Sequence, residues 1–244
     1  MRPVLRGKSP QVGDFDPYTG AKPSLISRLG MYCSYCERKI VTQLAVEHII
    51  PKNGPHGDPR LKGRWDNFLL GCVNCNSTKS DKKVDLGKVF LPDRDNTFTV
   101  FTYSADGKIK ISAGLKKKTT DMARAILSIT GLDKAMSVTT DENDRLIALD
   151  RVSQRMETWG MAEDVKQEIR QNPGNMLVVD SGIRLALASG FFSIWMTVFA
   201  NDQLMRNRLI DAFPGTRASK CFDARGQPVS PAPNPDELPY GGKA

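Results

Sequence analysis

Four of the five cysteines form two CxxC pairs, a spacing that is typical of metal sites. The pairs, CSYC and CVNC, are separated by 35 residues. Each pair can fold into a knuckle that presents two thiolates to one ion, and two knuckles complete a closed tetrahedral zinc site. Thioredoxin-like redox chemistry needs only one CxxC and leaves the second pair unexplained. We therefore predict a structural Zn²⁺ bound by Cys33, Cys36, Cys72 and Cys75.

An acid and a histidine, Glu47 and His48, lie side by side between the two cysteine pairs. A neutral imidazole can take a proton from the water that attacks a phosphodiester. The developing charge then needs a hard cation, and Mg²⁺ or Mn²⁺ prefers oxygen ligands such as the Glu47 carboxylate and the Asn76 amide. Neighbouring residues on a strand point to opposite faces, so both can serve one site only at a bulge or a strand end. Pro51 favours a strand end.

This segment resembles the HNH endonuclease motif in its zinc-knuckle form. The resemblance covers residues 31–83 and rests on CSYC, EHIIP, the pair Asn67-Phe68, CVNCN and Lys79, in that order. It implies a ββα-metal fold, in which two strands, a loop and a short helix hold one divalent ion. The zinc knuckles then frame the catalytic centre and take no part in the reaction, because a closed Cys₄ site has no open coordination position.

The resemblance assigns a role to four residues of this chain. His48 matches the general base at the end of the first strand. Asn67 matches the central asparagine, which braces the loop and fixes the histidine. Asn76 matches the metal-binding position on the helix, and Glu47 falls where the family often has Asp or His as the other metal ligand. The implied catalytic ion is Mg²⁺ or Mn²⁺.

The chain is basic, with a formal net charge of +8 and a pI near 9.3, which favours a polyanionic partner. Beside a phosphodiester site, basic side chains are expected to contact phosphates, although they could equally form a solubilising face. We favour DNA as the nucleic acid. Two alternatives remain open. One is a zinc-organised module that binds nucleic acid or a partner protein without catalysis, and the other is an interaction subunit whose nuclease site is occluded until a partner releases it. The predicted phosphate contacts are Lys52, Arg64, Lys79, Lys82 and Lys83.

Composition divides the chain into five parts and indicates an α+β protein. Its N-terminal ββα-metal module with the Cys₄ zinc site is followed by a β-hairpin and a mainly α-helical C-terminal part. The predicted parts are an irregular basic arm at 1–23, an HNH nuclease module at 24–90, a β-hairpin linker region at 91–118, a helical domain at 119–222 and a Pro/Gly-rich tail at 223–244.

Periodicity and turn signals predict the elements outside the motif. The strands of the hairpin are expected at 97–104 and 108–112, joined by the turn SADG. The sequence NPG at 172–174 should end the long helix of the C-terminal part. Helices are predicted at 24–29, 119–129, 141–159, 183–200 and 202–213.

The most apolar stretch, SGFFSIWMTVFA at 189–200, has two interpretations. We favour the central helix of the C-terminal core, and the alternative is a docking face for a partner subunit. The uncharged run that contains it is too short and too interrupted to span a bilayer. The N-terminal sequence MRPVLRGKSP has no apolar region typical of a secretory signal. We therefore expect a cytoplasmic protein with no membrane partner.

The layout of the whole chain loosely resembles the nuclease subunit of Septu-like bacterial anti-phage systems. Beyond residue 83 the likeness depends on one piece, LPDRDNTFTVFTYSADGKI followed by helices. It implies a role in prokaryotic defence and an ATPase partner subunit. The chain has no Walker motif of its own, so any ATP-driven step would require another chain.

Overall fold

The computed structural model describes residues 1–134 and 142–243 and is a mixed α+β structure. Two small antiparallel sheets lie in the N-terminal half, and the C-terminal half is helical. The strands are β1 (Ala45–His48), β2 (Phe68–Gly71), β3 (Phe101–Tyr103) and β4 (Ile109–Ile111). The helices are α1 (Lys22–Leu29), α2 (Val73–Lys79), α3 (Lys117–Thr130), α4 (Glu142–Gln171), α5 (Met176–Ser189), α6 (Phe192–Val198) and α7 (Gln203–Ala212).

Strands β1 and β2 and helix α2 form the predicted ββα unit. The strands pair antiparallel, with Glu47 opposite Leu69 and His48 opposite Phe68. All four residues of β2 are buried, because this strand lies in the core of the N-terminal half. Helix α2 begins directly after β2, and the Cys72 sulfur caps it by accepting a hydrogen bond from the Cys75 amide at 3.4 Å. This order of elements confirms the predicted fold class.

The β-hairpin is shorter than the sequence indicates. Its strands span three residues each, since the segment before β3 folds into turns. The Thr99 amide and hydroxyl both donate to the Asn96 carbonyl, at 3.2 and 2.8 Å, and Thr97 donates to the Met1 carbonyl at 2.9 Å. The Thr97 amide also donates to the Asp95 carbonyl at 2.9 Å, so the backbone amides of Thr97 and Thr99 are both used in turns and cannot pair in a longer strand. The predicted turn is confirmed, with Gly107 donating to the Ser104 carbonyl at 2.9 Å.

One predicted helix is two helices in the structure. The range 183–200 was expected to be continuous, but α5 ends at Ser189 and α6 begins at Phe192. Gly190 and Phe191 both have positive φ values, of 80° and 53°. Gly190 lies so close to the first zinc knuckle that an added Cβ would be 2.6 Å from the Glu37 carbonyl oxygen. A contact with a distant segment therefore interrupts the apolar helix.

The other helices match their predictions with different ends. Helix α3 begins at Lys117 and α7 spans Gln203–Ala212, each within two residues of the expected bounds. Helix α4 extends to Gln171, twelve residues past the predicted end, and the sequence NPG follows it as expected. Position 141, the predicted start of this helix, lies outside the described residues.

The core of the C-terminal half is built around α6. Phe192 and Trp195 are completely buried there, and Phe192 packs edge-on against Phe213 of the segment after α7. This burial confirms the core interpretation of the apolar stretch and leaves it no exposed docking face. None of the helices in the part of the chain that the structure describes is both long and apolar enough to cross a membrane.

Both chain ends run along the body of the protein without helix or strand. Arg6, in the N-terminal segment, is 1% exposed and pairs with Asp93 at 3.0 Å. In the C-terminal segment, Lys243 pairs with Asp95 at 3.0 Å and the Gly242 amide donates to the Arg94 carbonyl at 2.8 Å. Residues 93–95 thus connect both ends to the N-terminal half.

Candidate active site and metal centre

The four cysteines of the two CxxC pairs meet at one point. Their sulfur atoms all lie within 4.8 Å of one another, and all four residues are buried. The Cys36 and Cys72 sulfurs are 3.8 Å apart. Two thiolates bound to one tetrahedral zinc ion at about 2.3 Å each are separated by about 3.8 Å. The donor set and its spacing therefore fit Zn²⁺, as the sequence predicts.

Two arginine side chains lie beside the zinc knuckles, and one of them contacts a cysteine sulfur. The Arg151 guanidinium, buried on α4, donates to the Cys75 sulfur at 3.4 Å. On the first knuckle, Arg38 pairs with Asp150 of α4 at 2.5 Å, and Asn74 of the second knuckle donates to the same carboxylate at 3.2 Å. Burying a guanidinium is costly without an anion nearby, and four thiolates on Zn²⁺ keep a net negative charge. The arginines thus match a zinc-thiolate centre, and α4 bridges both knuckles.

Glu47, His48 and Asn76 line a single cleft of about 410 Å³. Strand β1 ends at His48, which confirms the strand end expected near Pro51. The strand end lets two neighbouring residues reach one cleft, and α2 brings Asn76 to it from the other side. The structure therefore brings together three of the four residues with an assigned role.

His48 is held in one orientation by its surroundings. Its Nε2 atom lies 2.9 Å from the Lys62 carbonyl oxygen. A carbonyl can only accept, so Nε2 must carry the hydrogen and Nδ1 is left with a free lone pair in the neutral ring. The imidazole also packs edge-on against Tyr18 and Phe68, with ring centroids 4.8 and 5.2 Å away. This tautomer makes Nδ1 the atom that can accept a proton.

The electrostatic environment keeps the His48 ring neutral. Burial lowers the pKa of His48 below its usual value, and the positive charges of Lys52, Lys79 and Lys62 lower it further. The hydrogen bond to the Lys62 carbonyl opposes them by raising the pKa. The net lowering means that the ring is unprotonated at neutral pH, which is the state a general base requires.

Asn67 does not line the cleft, but its side chain holds the loop that leaves β1. Its side-chain oxygen accepts from the Ile50 amide at 2.8 Å, and its side-chain nitrogen donates to the Ile50 and Leu61 carbonyls at 2.9 and 3.3 Å. Its backbone carbonyl accepts from the Ile49 amide at 2.8 Å. Asn67 therefore connects both ends of the loop that follows His48.

Glu47 is almost completely buried, at 2% exposure, and one of its oxygens is occupied. Oε1 pairs with the Lys79 ammonium at 2.9 Å and accepts from the Tyr35 hydroxyl at 3.4 Å. Burial raises the pKa of Glu47, against the Lys79 charge, which lowers it. Within the described residues, Oε2 accepts no hydrogen bond, so this oxygen is available to a cation.

Asn76 is exposed on α2 at the edge of the cleft. Its side-chain amide makes no hydrogen bond to any residue that the structure describes. A carboxylate oxygen from Glu47 and an amide oxygen from Asn76 are the hard ligands that Mg²⁺ and Mn²⁺ prefer. Water molecules would supply the remaining ligands, as is usual for Mg²⁺. These two residues therefore fit a divalent ion in the cleft.

The predicted phosphate contacts lie in different places. Lys52 lines the cleft with its ammonium 3.9 Å from the Tyr18 ring centroid, and Lys83 is exposed. Lys82 is exposed and donates to the Ser128 and Ile129 carbonyls.

Arg64 lies outside the cleft, in a separate depression, and pairs with Asp66. Lys79 lines the base of the cleft but is only 3% exposed, because its ammonium is paired with Glu47.

Sequence reasoning missed two residues of this region. Tyr18 touches both His48 and Lys52, yet it comes from an irregular Gly- and Pro-containing segment with no pattern that points to the motif. Arg151 reaches the cysteine cluster from α4, 76 positions away from Cys75. Only the tertiary structure shows either contact, since neither residue type is unusual in its segment.

Comparison with known proteins agrees with this geometry. Residues 33–82 match the family described as HNH endonuclease. The chain therefore carries an HNH endonuclease domain at these residues. It is also similar to a protein of Vibrio cholerae serotype O1 biovar El Tor named "Retron Vc95 putative HNH endonuclease". The two are 29% identical over 140 residues, which cover 53% of this chain and 68% of the relative.

Proposed function

We propose that this protein is a metal-dependent endonuclease that hydrolyses phosphodiester bonds of DNA, with His48 as the general base. One observation carries the proposal. The His48 ring lines the cleft with Nε2 bonded to a carbonyl and Nδ1 left to accept a proton, beside the oxygen ligands of Glu47 and Asn76. A module that only bound nucleic acid would have no need of a positioned base next to such ligands.

In the proposed reaction, His48 Nδ1 takes a proton from the water that attacks the phosphorus atom. The bond from phosphorus to the leaving oxygen breaks, and that oxygen takes a proton from solvent. Asn67 keeps the loop behind the ring in place during this step. Glu47 and Asn76 would hold Mg²⁺ or Mn²⁺, which when bound stabilises the charge that develops on the phosphate and the leaving oxygen. The Cys₄ zinc centre is structural, since four thiolates leave no position for water or substrate.

Basic residues around the cleft support nucleic acid as the substrate. Lys52 borders the cleft, while Lys82 and Lys83 follow α2 on the exposed surface. With the net charge of +8, these residues favour binding to phosphates of any sequence. Arg64, in a separate depression, extends the proposed contact along the nucleic-acid strand. DNA is the proposed nucleic acid, and the cytoplasm is the proposed location.

We further propose that the nuclease works in a prokaryotic anti-phage system with at least one other component. The name of the Vibrio cholerae relative ties that protein to a retron, which supports a role within a larger system. An ATPase subunit is the proposed partner. This proposal of an ATPase partner rests on the resemblance of the chain's layout to Septu-like systems. The chain also has no Walker motif, so any ATP-driven step would require another chain.

Replacing Asn76 tests the proposed metal site. We expect Asn76→Ala to lower plasmid cleavage by at least about tenfold at low Mg²⁺ and to recover partly at high Mg²⁺ or Mn²⁺, because weaker coordination can be offset by concentration. The measurement is the cleavage rate as a function of metal concentration. Ser77→Ala, an exposed neighbour on α2, is the matched control. A loss for Asn76→Ala that is independent of metal concentration would count against coordination.

A further inference from the structure

Lys79 is the last residue of α2, and its ammonium is buried against strand β1. Nζ lies 2.9 Å from Glu47 Oε1 and 2.7 Å from the His48 carbonyl oxygen. The residue is 3% exposed, and Glu47 is 2% exposed. The ammonium therefore contacts both adjacent site residues of the strand, one through its side chain and the other through its backbone.

This placement is unsuited to a phosphate contact. Binding a phosphate would require the Lys79 ammonium to leave a buried carboxylate and a carbonyl, and the carboxylate would then remain buried and unpaired. Such a loss is far more costly than the weak gain of one more contact at a solvated phosphate. The exposed Lys83, four residues further on, has no such constraint.

Lys79 also lies one helical turn after Asn76 on the same helix. Its contacts to Glu47 and His48 thus connect the helix that carries Asn76 with the strand that carries the other two residues. Side-chain positions within a catalytic site must be held to a fraction of an ångström for full activity. An ammonium buried between a side-chain carboxylate and a backbone carbonyl is suited to this task, because charge-assisted bonds are strong and are little weakened by solvent when buried.

We propose that Lys79 is a positioning residue of the nuclease site. It sets the strand end that carries Glu47 and His48 in place against the helix that carries Asn76, and it directs the free Glu47 oxygen toward the cleft. This inference rests on the proposed function. It gives Lys79 a role in the catalytic step rather than in nucleic-acid affinity.

The test compares Lys79→Met with Lys83→Met. Methionine keeps the length and apolar stem of lysine and removes the charge. For Lys79→Met we expect kcat for plasmid cleavage to fall by at least about tenfold. DNA affinity measured in EDTA, the slope of log affinity against log salt, and zinc content should match the wild type. Lys83→Met, which removes an exposed charge, should weaken DNA binding and reduce that slope by about one.

Further variants keep the outcome decisive. If Lys79→Met loses zinc or does not fold, Lys79→Arg retains the positive charge with a different shape and should still lower kcat without changing the salt slope. A Lys79 variant with wild-type kcat, or with a reduced salt slope and weaker DNA binding, would overturn the inference.

His48→Ala is assayed in parallel. If it cleaves as fast as the wild type, the proposed function fails; if it is inactive while Lys79→Met is fully active, only the role of Lys79 fails.

Discussion

His48→Ala should reduce plasmid cleavage by about a hundredfold or more, the usual contribution of a positioned general base. Folding, zinc content and DNA affinity should stay close to those of the wild type. The ring contacts Tyr18 and Phe68 and the Lys62 carbonyl, but it belongs neither to the cysteine cluster nor to the exposed basic residues. The measurement is the single-turnover cleavage rate, with DNA binding determined separately in EDTA.

The chain provides a matched control for this experiment. Its only other histidine, His56, is exposed in a Gly- and Pro-rich loop and does not line the cleft. His56→Ala should cleave at the wild-type rate. Equal loss in both variants would show that the effect is not specific to His48, and equal activity of His48→Ala and the wild type would remove the general base from the mechanism.

Cys36→Ser or Cys75→Ser should release zinc and destabilise the N-terminal module. Both sulfurs belong to the buried cluster, which joins the knuckle before β1 to the start of α2. Binding of a structural zinc ion is coupled to folding, so losing a thiolate is expected to cost several kcal/mol. For a chain of this size that corresponds to a fall of roughly 10 °C or more in the midpoint of thermal unfolding. Calorimetry and elemental analysis measure the two effects.

Cys221 supplies the control for the cysteine variants. It is buried in the C-terminal half and lies outside the cluster of four. Cys221→Ser should therefore retain one zinc ion per chain. Full zinc content and an unchanged unfolding midpoint in Cys36→Ser would contradict the structural zinc site.

The zinc cluster could be predicted from the sequence because its information is local, and the ββα unit is what the resemblance of the same short segment implies. Two CxxC spacings define the ligands, and a strand end after Glu47 and His48 follows from Pro51. The residues assigned to the site by resemblance occupy a short segment, so their order along the chain already limits where they can lie. The structure accordingly places Glu47, His48 and Asn76 on one cleft.

Features that depend on distant contacts could not be predicted in this way. A lysine in a polar segment is expected to be exposed. Lys79 is instead buried, because its ammonium pairs with the buried Glu47 carboxylate. The break between α5 and α6 arises because Gly190 packs against the Glu37 carbonyl of the first knuckle, whereas the apolar pattern continues through it. Arg151 illustrates the same limit at the zinc centre, since its partner Cys75 is remote in sequence.

The metal dependence of cleavage by the purified wild-type protein tests the proposed mechanism most directly. Supercoiled plasmid is incubated with the protein in EDTA and then with Mg²⁺ or Mn²⁺, and zinc content is determined before and after. We expect nicked or linear DNA only when Mg²⁺ or Mn²⁺ is present, with one zinc ion per chain retained throughout. Cleavage that persists in EDTA with zinc still bound would contradict a metal-dependent nuclease built on Glu47, His48 and Asn76. So would the absence of cleavage with either metal both for the protein alone and for the protein with its partner subunit.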